Sequence, residues 1–437
     1  MEKKNKQFSI WVLIWGLGLA GQLCWNMENQ WFNTFVYSKI GKDPSIITGM
    51  LICSALATTF STFFFGTWSD RLGNRRKFMA FGYILWGLFT IGFGLTQFIS
   101  REMYTLLAIM VVMADTIMSF FGSMGNDSAF NTWCNDIMTN ENRGGIGAAL
   151  ATQPVIGTIL GTVIGGFLVG SNDNYMRLFL VMGAAVIAFG IFTLFALGPE
   201  YDVAPSKKGS FWHQFALVFN FKEFFKHKEL ALVHVGIAVF FSGFNVYFAY
   251  IGNFIIHYLG FTPDQMGIIE AVPLGLAMLF AIPISKLINR GYHRYIAFAG
   301  VIINAVGCAL AYLIRPENID STKIFNPIIF IGIFVIGIGY VAILQTCKVW
   351  AKQLYPRDSK GQFEGIWVLF FVLIPMIFGS VIGEAVVKTG GEQFLDTASG
   401  QMQYIPNENI FLVGGIVILF SIIPFLMILR SEKKEVN

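Results

Sequence analysis

The sequence predicts an all-α membrane protein of twelve spanning helices in two six-helix bundles. Three observations carry this. Of 437 residues, 55% are hydrophobic and only 13% charged, about half the ~25% charged share of a soluble domain. About twelve apolar stretches approach the ~20 residues needed to cross hydrocarbon. Part of the chain recurs at a shift of 218 residues. A soluble fold could not cover its outside with so few polar groups. Mean hydropathy, +0.62, agrees. A soluble enzyme, a disordered tail and a nucleic-acid binder are excluded.

The apolar stretches run over about 9–37, 45–66, 78–98, 104–130, 146–170, 175–197, 230–258, 265–287, 295–314, 327–347, 364–388 and 409–429. The first follows Lys3, Lys4 and Lys6, as a signal peptide would. It is too long for one and carries Gln22, Asn26, Glu28 and Asn29. Of 30 Lys and Arg, 23 fall on the side of the termini and 7 on the other. That bias predicts cytoplasmic termini in a plasma or inner membrane. It also explains the net charge of +4 without an acidic partner.

In the repeat, Gly161-Thr162-Val163-Ile164-Gly165 returns as Gly379-Ser380-Val381-Ile382-Gly383. Gly73-Asn74-Arg75-Arg76 returns weakly as Gly291-Tyr292-His293-Arg294. Two parallel six-helix halves are expected, an architecture of secondary transporters. The halves are 1–197 and 230–437. The linker 198–229 carries Phe211-Trp212-His213-Gln214-Phe215 and Phe224-Phe225-Lys226. It reads as an interfacial helix or as a loop with buried aromatics.

Between the second and third spans stands Gly66-Thr67-Trp68-Ser69-Asp70-Arg71-Leu72-Gly73-Asn74-Arg75-Arg76-Lys77. It fills every slot of G-x-x-x-D-R-x-G-x-R-R-K and resembles the signature loop of the major facilitator superfamily. Its glycines suit a close helix approach and a tight turn. The resemblance covers the whole chain and implies that fold. It also implies that Asp70 meets the N-terminus of the eleventh helix, near Glu364, where a helix dipole favours an anion. The implied gating set is Gly66, Asp70, Arg71, Gly73, Arg75 and Arg76, with Asp136 and Arg143 of the next loop on that side.

Gln22, Asn26, Asn29 and Asn33 fall within about 40° of one helical face. Four amides there would line water or a solute, or join neighbouring helices. Amides both donate and accept, which suits a polyol such as a sugar. Glu28 lies about 120° off the stripe. A carboxylate near a helix centre costs about 3 kcal/mol on insertion scales. It is kept for a proton or for a hydrogen-bonded structural role. The fourth span adds Asp115, Asp127 and Asn131, the last two on one face.

Gly21-Gln22-Leu23-Cys24-Trp25-Asn26-Met27-Glu28 resembles the first-helix pattern of sucrose/proton symporters, a branch close to the glycoside–pentoside–hexuronide cation symporters. The resemblance implies a sugar ligand at Asp127. The sequence departs from sodium-coupled members. Ile46 to Phe65 contains no acid, and Met376 stands near an expected lysine. A proton carried by Glu28, Asp115 or Asp127 is therefore the expected coupling ion.

Asn245, Asn253 and Gln345 are candidates to complete a substrate site from the second half, and Trp25 to stack on a sugar ring. Cys24, Cys53, Cys134, Cys308 and Cys347 are dispersed, with no metal or disulfide spacing. No cofactor, metal or nucleophile motif is expected, so the chain does not read as an enzyme. The expected protein is a monomeric sugar or glycoside transporter with proton symport, working by alternating access within a lipid bilayer. A carrier of another metabolite, a lipid or a drug, and a non-transporting sensor, are the competing readings.

Overall fold

The computed structural model describes residues 2–139, 141–198, 210–212, 215, 221–355 and 360–435. Among the described residues, twelve helices are long and apolar enough to cross a membrane. We label them α1 (Ile10–Ile40), α2 (Pro44–Leu72), α3 (Arg75–Phe98), α4 (Arg101–Asp136), α5 (Arg143–Val169) and α6 (Tyr175–Ala196). The second six are α7 (Lys228–Tyr258), α8 (Pro263–Asn289), α9 (His293–Ala311), α10 (Pro327–Leu354), α11 (Gly365–Gly390) and α12 (Asn409–Ile428). Helix is the natural outcome for such runs, because lipid offers no partner to a free backbone N–H or C=O.

The chain forms two compact units. One holds Met1–Phe35 and Cys53–Ala216, the other Val36–Ile52 and Leu217–Asn437. In the first, α1 packs on α5 and α3 on α6 and α4. Glycine allows these approaches. Gly157 and Gly161 of α5 lie against Gln22 and Asn26 of α1, and Gly165 against Trp31. Trp31 Nε1 donates to the Gly161 carbonyl at 3.2 Å. In the second unit α7 packs on α11 and α12, and α9 on α10. Gly379 and Gly383 of α11 lie against Asn245 and Tyr250 of α7.

The repeat is therefore a repeat of packing. Gly73 and Gly291 both have positive φ, 68° and 87°. Each ends a helix two residues before the next begins, at Arg75 and His293. Wider π-helical turns occupy Val36–Ile40 in α1 and Phe254–Tyr258 in α7, again 218 apart. Further π turns lie at Met27–Phe32 in α1, Ser123–Phe130 in α4 and Leu369–Leu373 in α11. Such turns concentrate at functional sites.

In the second unit, β1 (Glu392–Leu395) and β2 (Met402–Ile405) form an antiparallel hairpin between α11 and α12. The Lys42 N–H donates to Gln403 Oε1 at 2.8 Å. Tyr404 N–H donates to the Lys42 carbonyl at 2.7 Å. Glu384 of α11 accepts from Ser45 Oγ at 2.9 Å and pairs with Lys388 at 2.7 Å. These bonds tie 36–52 into this unit. Most of 198–229, the expected interfacial helix, lies outside the described residues. Of it, Phe211 and Phe215 pack on Phe64 and Phe60 of α2.

Two glycines of α3 give opposite expectations. A Cβ at Gly87 would collide with the Gly183 carbonyl of α6, whereas one at Gly92 meets nothing within 4 Å. Gly87→Leu should lose about 1–3 kcal/mol through overpacking, read as a lower melting temperature in detergent. Gly92→Leu should melt with the parent.

Candidate functional site

The densest polar chemistry of the first unit lies where α1 meets α4. Asp115, Ser119, Ser123 and Asp127 stand four residues apart and form one column on α4. Ser119 Oγ donates to Glu28 Oε1 at 2.7 Å. It also lies 2.8 Å from the Asp115 carbonyl. Ser123 Oγ donates to Asp127 Oδ2 at 2.8 Å, and Trp25 interacts with that carboxyl from α1. Trp25 and Trp86 rings lie 4.8 Å apart. Glu28 and Asp115 are buried, with Glu28 Oε2 and Asp115 Oδ1 unpartnered. Trp25, Asn29, Asp127 and Asn131 are only half-buried. Among the described residues no basic side chain pairs with these three acids. A buried carboxyl without a cation is costly to keep charged in an apolar interior.

The amide stripe divides. Gln22 and Asn26 face α5. Asn26 Nδ2 donates to Thr162 Oγ1 at 3.3 Å, and Thr162 Oγ1 to Gln30 Oε1 at 2.8 Å. Asn29 and Asn33 turn their amides onto α1 itself, to the Trp25 and Asn29 carbonyls at 2.7 and 3.0 Å. Asn131 Nδ2 lies 3.4 Å from the Asp127 carbonyl.

In the second unit Asn245 Nδ2 donates to the Phe241 carbonyl at 2.8 Å. Asn253 is fully buried, and Gln345 Oε1 lies 3.5 Å from Ser285 Oγ. The three stand on α7 and α10, and no bond joins them to one another among the described residues. Sequence reasoning missed Ser119 and Ser123, which donate to Glu28 and to Asp127 respectively. Their i+4 spacing between Asp115 and Asp127 was the available signal. It also missed Glu270 of α8, which is 1% exposed with Oε1 unpartnered. A single acid inside an apolar run, with no motif around it, gives little signal.

The turn after α2 is built by charge. Gly73 N–H closes on the Ser69 carbonyl at 2.8 Å. Arg75 pairs with Asp70, and its Nε donates to Asp136 Oδ2 at 3.0 Å. Arg75 is buried while Asp70 is half-exposed. Arg76 Nη1 donates to the Leu197 carbonyl at 2.8 Å. Gly66 sits near Ser128 of α4. Arg71 is half-buried, and Arg143 is exposed at the first turn of α5. Among the described residues no group of three or more His, Cys, Asp or Glu could hold a metal.

The sequence profile of the Major Facilitator Superfamily matches residues 14–258 and 235–437. No curated protein matches the chain. Among solved structures, a point mutant of the nucleoside transporter NupG superposes with a TM-score of 0.71 at 15% identity. That match covers 95% of this chain and 99% of that one. A bacterial homolog of the human lysosomal transporter Spinster, inward-facing and unoccupied, superposes with a TM-score of 0.68 at 15% identity. It covers 96% of both chains. At such identities the likeness is one of fold.

Removing Arg75 would leave Asp70 and Asp136 facing each other without their cation. Arg75→Ala should cost about 2 kcal/mol, toward the low end for a broken ion pair because both acids reach solvent. The measurement is thermal melting in detergent. Lys77→Ala, at the same turn and exposed, should melt unchanged.

Proposed function

Because the chain belongs to the major facilitator superfamily, and is thereby a membrane transporter, we propose that it carries a sugar or glycoside together with a proton by alternating access. One observation carries this reading: the Asp115–Ser119–Ser123–Asp127 column with Glu28 and Trp25 against it. The half-buried members are suited to solute. Asp127 would accept sugar hydroxyls, Asn131 and Asn29 would bond others, and Trp25 would stack on a pyranose face. Gln22, Asn26 and Asn33 would shape the wall behind them. Asn245, Asn253 and Gln345 would supply contacts from α7 and α10.

The shut-in members are suited to the proton. Glu28 and Asp115 have no cation beside them, so moving either as an anion through the membrane interior would be costly. A proton removes that cost only for the carboxyl that takes it, so both must be protonated for the pair to cross without charge. Ser119 would hold Glu28 through its hydroxyl, and Ser123 would hold Asp127 one helical turn further along. The Asp70–Arg75–Asp136 network supports a gating role for the turn beneath, with Arg71, Arg76, Arg143, Gly66 and Gly73. The charge bias of the loops supports cytoplasmic termini and residence in the cell membrane, and the proposed working unit is a monomer.

The test is uptake of labelled mono- and disaccharides, with nucleosides alongside, into proteoliposomes under a proton gradient, a sodium gradient or neither. Proton-driven accumulation of one sugar is expected. Glu28→Gln should lose accumulation yet keep exchange of solute across the membrane. Asp127→Asn should raise KM at least ~10-fold, the loss of ~1.4 kcal/mol of binding. Accumulation of a nucleoside or another solute alone would replace the sugar, and no flux of any solute would favour a sensor.

A further inference from the structure

A groove of about 530 Å³ opens on the first unit between α2, α3 and α4. Its volume falls within the range of small-molecule clefts, though it is open rather than enclosed. It has one polar end and one apolar end. Asn74 and Lys77 form its mouth at the turn between α2 and α3. Phe65 and Trp68 of α2, Phe81 and Leu85 of α3 and Phe121 of α4 line the rest. Trp68 and Phe81 are 42% and 51% exposed, so the groove is open sideways rather than sealed by protein.

The direction of the groove matters. From Lys77 to Leu85 the helix rises about 12 Å. One leaflet of hydrocarbon is about 15 Å deep. The groove thus follows the depth of a single leaflet, cation at the headgroup level and aromatic rings along the chain. Its rim continues in aromatics. Phe64 packs on Trp68 at 5.6 Å and on Phe211 of the 198–229 segment at 5.3 Å. Trp212 beside it is 63% exposed, the placement of an interfacial ring.

Charge selects the occupant. At this turn Arg75 is consumed by Asp70 and Asp136, and Arg76 bonds the Leu197 carbonyl. Lys77 is exposed at the mouth. Asp70 is the acid nearest in sequence, and Arg75 pairs with it. A basic mouth above an apolar cleft is the form of an anionic headgroup site. We propose that this groove holds one anionic glycerophospholipid, its acyl chain along Trp68, Phe81 and Leu85 and its phosphate at Lys77. The site is separate from the α1–α4 acids and does not depend on what the protein transports.

The test is lipid retention by the full chain, purified with an equimolar mixture of phosphatidylglycerol and phosphatidylcholine of identical chains and read by native mass spectrometry. The parent should keep one phosphatidylglycerol in severalfold preference. Lys77→Gln should bring the ratio to about one, and Lys77→Arg should preserve it. Leu85→Trp, which fills the groove, should reduce retention of both lipids. Equal retention by the parent, or a preference that survives Lys77→Gln, would overturn the proposal. So would full retention in Leu85→Trp. Melting curves of each variant confirm that a loss of lipid is not a loss of fold.

Discussion

Hydrocarbon gives a polar group nothing to bond to, and everything in this protein is organised by that constraint. Backbone groups answer it by helix, twelve times over. Side chains answer it in pairs: Asn26 with Thr162, Trp31 with the Gly161 carbonyl, Tyr83 with Asn126 and the Leu17 carbonyl. Glycine is what lets helices come close enough for these bonds. Gly21 of α1 lies against Asn126 and Tyr83, and Gly161 against Asn26. Each would be blocked by a single methyl group. The small residues and the buried amides are thus one device, not two.

Against that background the unpaired groups stand out. Glu28, Asp115 and Glu270 each keep a buried carboxyl oxygen without a partner. A packed interior could have used an apolar residue at each position at less cost. Under the proton-coupled reading proposed above, these are the groups that would take up a proton. The same logic separates Asp127 from its neighbours. It is bonded by Ser123 and remains half-buried, which is why the proposed solute contact is placed there.

Much of this was legible in the sequence. The twelve spans follow from apolar length, and the signature turn from Gly73, Asp70 and Arg75. The repeat at 218 shows itself in Gly161 and Gly379, because helix packing demands small residues at fixed places. The amide stripe was less legible. Gln22 to Asn33 share a face on a uniform 3.6-residue period, but α1 widens into a π turn at Met27–Phe32. A π turn adds a residue without altering which residues are apolar, so no hydropathy pattern marks it. The amides before it, Gln22 and Asn26, face α5, whereas Asn29 within it and Asn33 just past it bond their own helix. Ser119 and Ser123 were hidden differently. A serine in a spanning helix usually bonds its own backbone, and only the neighbour across the interface gives it a second role.

The two halves repeat one packing scheme and differ in chemistry. The shift that superposes Gly73 on Gly291, and the π turn of α1 on that of α7, carries Asp115 onto Ile333 and Ser119 onto Gly337. It carries Asp127 onto Gln345 and Glu28 onto Val246. Each acid of the column is thus matched by a residue that cannot hold a proton. Ile333 and Val246 are buried apolar packing, and Gly337 lets α10 approach Ala277 of α8. A duplicated bundle needs both copies to keep the glycines, since without them neither would pack. It needs the acids only once. The second unit keeps a buried acid of its own, Glu270 of α8, and the same shift carries it back onto Ile52, so the buried acids of the two halves stand at different places on one shared packing scheme.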